Sequence, residues 1–257
     1  MAERALRFLR VSANSRFSEA RLKVLSERET VGGIGTLSEK LLHKILKFYA
    51  EPDDSYHEVP TLGSVADVRN DLGITEVQTR AYEKLLPKLI KFLPEYRTEV
   101  MLPLENSRRI NYIDKDTGEL IRTSKGRRHD GINRAACELY KLKELIPNKN
   151  LTVRVIFIDF DEYRYPKQKG KWQRRSELLI ERIPTAIDRE ITLTSRDDYR
   201  CFLPEGLGET FTAKELEGLV KLDSRRTHNT LSLLLSLGIL ERERGKGNAF
   251  IYRRKWD

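Results

Sequence analysis

One stretch, residues 151–160, constrains the fold of this chain more than any other. It reads Leu-Thr-Val-Arg-Val-Ile-Phe-Ile-Asp-Phe. Val153, Val155, Ile156, Phe157 and Ile158 form a near-continuous apolar run rather than an alternating one. A strand written this way is buried on both faces, which requires other layers against its sheet. That requirement points to a layered α/β domain.

The residues before it supply the layers. Residues 36–49 carry apolar side chains at helical spacing, with Leu37, Leu41 and Ile45 on one stripe. Strands are predicted at 56–60, 64–69 and 74–79. Asn70-Asp71-Leu72-Gly73 joins the last two as a hairpin. Residues 80–92 return to helical spacing, with Pro87 kinking or bounding the helix. Residues 98–104 read as another strand. An irregular excursion follows, containing a hairpin around 114–118 and a basic loop at 125–129. A helix is predicted over 132–146, ahead of the apolar strand. The predicted organisation is an N-terminal basic helix or arm (1–33), an α/β domain (34–162), a basic linker and covering segment (163–194) and a small C-terminal domain (195–257).

Charge sets expectations about partners. The chain has 257 residues, 48 Lys and Arg, 39 Asp and Glu, and a formal net charge of +9. Such an excess favours polyanions. It concentrates in residues 224–257, where Arg225, Arg226, Arg242, Arg244, Lys246, Arg253, Arg254 and Lys255 face Glu241, Glu243 and Asp257. Residues 164–175 hold no acid, and Lys169, Lys171 and Arg174 are interleaved there with Tyr165 and Trp172. That pattern can track a phosphate backbone and stack on bases, or serve as a solvated basic loop. At 39% apolar residues the chain can bury a core. No apolar run is long enough for a membrane span. The N-terminal residues lack the apolar region of a secretory signal. Cys137 and Cys201 are far apart, so a disulfide framework is not expected, and a reducing cytoplasm is.

The chemistry-bearing candidates are acidic. Glu39 lies at the start of the first predicted helix of the α/β domain, where it also fits a capping box with Thr36. If Asn70–Gly73 is a four-residue loop, Arg69 pairs with Ile74 and Asp67 stands opposite Glu76. A three-residue loop with a bulge would send the two acids to opposite faces. Facing carboxylates repel across a strand pair, and a divalent cation between them reverses that sign. Oxygen donors of this kind suit Mg²⁺ or Mn²⁺. Arg80 follows Gln78 at strand spacing and could offer charge to a phosphate. Asp159, Asp161 and Glu162 read as solvated residues at a strand end. The four histidines are dispersed without metal-site spacing, and no phosphate-binding loop occurs.

Over residues 34–160 the α-β-β-β-α-β order, Glu39, Val65-Ala66-Asp67-Val68 and the triplet Glu76-Val77-Gln78 together resemble the PD-(D/E)XK, or restriction-endonuclease-like, nuclease superfamily. The resemblance implies a mixed sheet flanked by helices. It implies Asp67 and Glu76 as ligands of Mg²⁺ or Mn²⁺, Glu39 binding metal through water, and Gln78 in the position usually held by Lys. Gln78 cannot carry positive charge, and Ala66 stands where the family name has proline. Residues 195–255 resemble a winged helix. Residues 212–215, Thr-Ala-Lys-Glu, form a capping box, a helix beginning near Asp223 stops at Gly238, and a hairpin follows with a basic tip. In that reading Arg225 and Arg226 lie on the recognition helix, and Arg244 and Lys246 on the wing. The expectation is a metal-dependent nuclease acting on nucleic acid, DNA ahead of RNA. The alternative is a non-catalytic nucleic-acid-binding or regulatory protein. A homodimer is compatible with the resemblance.

Overall fold

The computed structural model describes residues 2–31, 38–79, 84–126, 131–166, 178–245 and 249–255, with side chains for 13–27 and from 41 onward. The protein is α/β, and its main sheet mixes parallel and antiparallel strands in the order β1-β2-β3-β4-β6-β7, with β5 paired to β4. These strands are β1 (His57–Thr61), β2 (Ser64–Asn70), β3 (Gly73–Val77), β4 (Thr98–Ile113), β5 (Leu120–Lys125), β6 (Leu151–Tyr165) and β7 (Leu178–Leu193). β2 and β3 are antiparallel, β3 and β4 parallel, and β4 and β5 antiparallel. Among the described residues no helix is long and apolar enough to cross a membrane.

The chain divides into two compact units, and β4 and β6 contribute residues to both. The first unit holds residues 1–57, 105–129 and 156–190. Its helices are α1 (Ala2–Val31) and α2 (Ser38–Ala50). Ala13, Phe17, Ala20 and Val24 make the buried stripe of α1 at helical spacing, while Leu22 points to solvent. Small alanines let α1 lie close to its neighbours, and Phe17 meets Tyr49 of α2 edge-on at 6.0 Å. Helix α1 also serves β7. The Asn14 side-chain amide donates to the Ile187 carbonyl and its oxygen accepts from the Ile187 N–H, both at 2.9 Å. Arg21 donates to the Pro184 carbonyl at 2.9 Å. These bonds satisfy backbone groups that a sheet edge would otherwise expose.

The predicted strand at 98–104 runs on unbroken to Ile113, and the predicted strand at 151–160 runs on to Tyr165. Polar residues interrupt the apolar pattern of both, but they satisfy one another across the sheet. Asn106 and Ser107 donate to Asp159 at 2.8 and 2.7 Å. Arg109 grips both oxygens of Asp161 at 2.9 and 2.5 Å. Glu162, 2% exposed, accepts from Arg108 at 3.2 Å and from Arg164 at 2.6 Å. The reading of Asp159, Asp161 and Glu162 as solvated strand-end residues is therefore corrected: they are the acidic half of a ladder of ion pairs and hydrogen bonds. Arg182 of β7 adds an ion pair to Glu105 at 2.6 Å and lies over the Phe160 ring at 3.8 Å. Burial holds the Arg182 guanidinium below its ordinary pKa, with Glu105 and Glu162 pulling it back up. The predicted covering segment is strand from Leu178 to Leu193.

The second unit holds residues 58–104, 130–155 and 191–257. The hairpin of β2 and β3 turns through Asn70–Gly73, with Val68 opposite Thr75, Arg69 opposite Ile74 and Asn70 opposite Gly73. Asn70 shapes the turn by accepting from the Leu72 N–H at 3.0 Å. Gly73 has φ +135°, and any side chain there would collide with the Arg97 carbonyl. Helix α3 (Leu86–Phe92) begins at Leu86 and carries Pro87 in its first turn, where a proline suits a helix as it would not in the middle. Leu85, Leu89 and Phe92 anchor it. Helix α4 (Asn133–Leu139) gives way to a 3-10 turn at Tyr140–Leu142, short of the predicted end.

The C-terminal part contains β8 (Thr210–Thr212), α5 (Ala213–Val220), α6 (Ser224–Ser236), β9 (Leu240–Arg244) and β10 (Phe250–Arg254). Its three strands form an antiparallel sheet in the order β8-β10-β9. Thr212 and Glu215 make the predicted capping box on α5, and Asp223 caps α6 by accepting from the Arg226 N–H at 2.9 Å. Gly238 follows α6 at φ +66°.

Candidate functional site

The β2–β3 register is the one on which the acidic pair depends. Continued by one residue beyond Val68 and Thr75, it sets Asp67 opposite Glu76. At that point carboxylates bind backbone directly. Glu76 Oε1 accepts from the Asp67 N–H at 3.2 Å, and Asp67 Oδ2 accepts from the Val77 N–H at 2.8 Å. Glu76 is 1% exposed, while Asp67 is half-buried. The parallel neighbour holds β3 in place, with Glu76 opposite Val100 and Val77 opposite Met101.

A third group completes the arrangement. Lys88 reaches from α3 and places its Nζ 2.5 Å from Glu76 Oε2. Burial and the negative charge of Asp67 push the Glu76 carboxyl up to about 7, while the hydrogen bond and charge of Lys88 pull it down. Lys88 was not singled out from the sequence. Helical spacing of Leu85, Leu89 and Phe92 fixes the buried face of α3 but not which strand residue a lysine beside that face will meet. The available signal was a glutamate within a strand that needed a cation.

The other acidic and polar candidates fall differently. Glu39 lies on α2 in the first unit, and its side chain is outside the described residues. Gln78 is half-buried just past the end of β3, and its N–H donates to the Met101 carbonyl at 2.9 Å. Strand β3 ends at Val77, and Arg80 lies outside the described residues. Among the described residues no group of three or more His, Cys, Asp and Glu side chains could hold a metal ion. Asp67 and Glu76 are nonetheless hard oxygen donors held side by side against their mutual repulsion. That donor set fits Mg²⁺ or Mn²⁺.

The basic candidates divide in the same way. Lys169, Lys171, Arg174 and Lys246 lie outside the described residues. Arg225 and Arg226 are exposed in the first turn of α6, with Arg226 Nε 3.4 Å from Asp223. Thr227 and Thr230 of α6 are buried, and the Cys137 thiol of α4 donates to the Arg226 carbonyl at 3.6 Å, so α4 covers part of this helix. Arg244 is exposed at the end of β9 opposite Phe250, and Arg242 lies 4.7 Å from the Phe250 ring centre. Alternate residues of a strand share a face, so Arg242 and Arg244 stand together. Glu241 and Glu243 take the other face and pair with Lys255 at 2.8 Å and Arg253 at 3.5 Å. The hairpin thus has one face of mutually neutralised charge and one carrying Arg242, Arg244 and a partly exposed Phe250. Arg242 and Phe250 were legible as alternation on either side of the Gly-rich tip.

Residues 40–194 match the model of a family described as a domain of unknown function, DUF8091. The chain belongs to the DUF8091 family. The DUF8091 match takes in Asp67, Glu76, Gln78 and Lys88 and ends before β8, so α6 and the β9–β10 hairpin lie outside it. No curated protein and no solved structure matches the chain.

Proposed function

We propose that this DUF8091 protein is a metal-dependent nuclease that hydrolyses phosphodiester bonds, acting on DNA. The observation that carries the reading is the meeting of Asp67 and Glu76 across the β2–β3 hairpin with Lys88 against Glu76. In the restriction-endonuclease-like fold that the element order resembles, these two acids are the metal ligands. A Mg²⁺ or Mn²⁺ ion, when bound, supplies Lewis acidity and neutralises charge at the scissile phosphate. Asp67 and Glu76 would hold that ion. Lys88 supplies the positive charge that Gln78 lacks and stabilises the anionic transition state. Gln78, next to the pair in sequence, can orient a phosphate oxygen or a water by hydrogen bonding.

The C-terminal elements support a winged helix: strand, two helices and a hairpin, with β10 between β8 and β9. In this reading α6 presents Arg225 and Arg226 to the duplex, and the hairpin presents Arg242 and Arg244 to its phosphates.

The test is cleavage of linear, circular, branched and single-stranded DNA, and of RNA, with Mg²⁺, Mn²⁺ or EDTA. The expected result is cleavage of DNA that needs metal and that Asp67→Asn and Glu76→Gln each abolish. Tight, salt-sensitive DNA binding by wild type with no metal-dependent cleavage overturns the enzyme and leaves a DNA-binding protein.

A further inference from the structure

The Glu76 carboxyl is buried, and of its two oxygens Oε1 is taken by the Asp67 N–H and Oε2 by the Lys88 ammonium. Lys88 is the more exposed partner, with 27% of its side chain accessible against 2% for Glu76. Its helix is fixed by Leu85, Leu89 and Phe92. The four-carbon stem can therefore rotate outward while α3 stays in place.

A divalent cation bound to Glu76 would lie about 2.0–2.1 Å from a carboxylate oxygen. An ammonium kept on the same carboxylate would be close enough to repel it strongly in so buried a setting. The two cations are alternatives.

We propose that Lys88 is a displaceable counter-ion: it neutralises the Asp67–Glu76 pair in the metal-free protein, and a divalent cation binds by exchange with its ammonium. The proposal rests on the reading of Asp67 and Glu76 as metal ligands. It gives Lys88 two positions with two roles. Against Glu76 it offsets the repulsion of two adjacent carboxylates and keeps the hairpin end closed. Released, it stays tethered to α3 beside the site, free to meet an anionic ligand. The exchange also lowers apparent metal affinity, because part of the binding free energy goes into breaking the ion pair.

The experiment is a Mn²⁺ titration of the full chain followed by electron paramagnetic resonance, at fixed pH and ionic strength. The proteins are wild type, Lys88→Met, Lys88→Gln, Lys88→Arg and Glu76→Gln. The two neutral variants should bind Mn²⁺ about tenfold or more tightly than wild type, Lys88→Arg should bind as wild type does, and Glu76→Gln should not bind. In EDTA the neutral variants should melt below wild type, and saturating Mg²⁺ should raise their melting temperature by more. If the neutral variants bind Mn²⁺ no more tightly than wild type while Glu76→Gln abolishes binding, the exchange is overturned and the metal site stands. If no protein binds Mn²⁺ above the Glu76→Gln background, both fall.

Discussion

Glu76 Oε1 accepts a hydrogen bond from the Asp67 N–H at 3.2 Å. Where β2 and β3 stop exchanging backbone bonds, the two carboxylates take over the pairing, and in doing so bring like charges together. The cost is expressed in the titration of Glu76.

The Glu76 carboxyl is raised from an ordinary value of 4.5 to about 7, by burial first and the Asp67 charge second. An acid whose folded pKa is raised contributes stability that is fully present below its unfolded pKa and lost as pH rises through the folded one. Melting temperature in metal-free buffer, taken as wild type minus Glu76→Gln, should therefore fall between about pH 4.5 and pH 7. It should flatten above that range. A difference that does not change with pH would contradict the environment described for Glu76.

The two faces of the β9–β10 hairpin predict different salt dependence. Each phosphate neutralised on duplex DNA adds about −0.9 to the slope of log affinity against log salt. Arg244→Ala and Arg225→Ala should each weaken DNA binding and flatten that slope by about one contact's worth. Arg253→Ala, whose side chain faces Glu243, should leave the slope unchanged. Fluorescence anisotropy at four salt concentrations reads all three.

Asn14 stands in for a strand at the edge of β7. Asn14→Ala leaves the Ile187 N–H and carbonyl without partners, and a lost pair of this kind costs about 1–3 kcal/mol. Urea unfolding should report that loss. Hydrogen exchange at the Ile187 amide should speed up more than exchange in β2.

Glu162 holds Arg108 and Arg164 together in a buried setting, with Arg182 nearby. Glu162→Ala removes a buried carboxylate shared by these guanidinium groups and leaves Glu105 to serve Arg108 and Arg182, and breaking a buried pair from one side costs about 3–5 kcal/mol. Arg253→Ala, which breaks a pair exposed on both sides with Glu243, should cost much less. Equal losses in urea unfolding would show that these ion pairs are not graded by burial.

Gly73→Ala tests whether the turn sets the site. At φ +135°, with the Arg97 carbonyl in the way, an alanine must shift the turn. The shift should alter the register by which Asp67 reaches Glu76. Mn²⁺ affinity should then fall even in the fraction of protein that remains folded by circular dichroism.

Periodicity and turn chemistry determined much of this protein. The apolar run of β6, the helical spacing of α2, the Asn-Asp-Leu-Gly turn and the caps at Thr212 and Asp223 are local signals, and each element forms where its signal lies. The turn left two registers open, and the structure adopts the one that opposes Asp67 and Glu76. Local signals failed where partners are distant in sequence. The polar second halves of β4 and β6 look like loops until Arg108 and Arg109 meet Glu162 and Asp161. The α1 stripe runs through alanines because what they pack against decides how close the helix can come. Lys88 belongs to the same class: its number in the chain carries no trace of Glu76, and only the packing of α3 brings the ammonium to that carboxylate. Strand period and turn type act over a few residues, whereas the neutralisation of a buried charge requires whichever opposite charge the tertiary fold delivers.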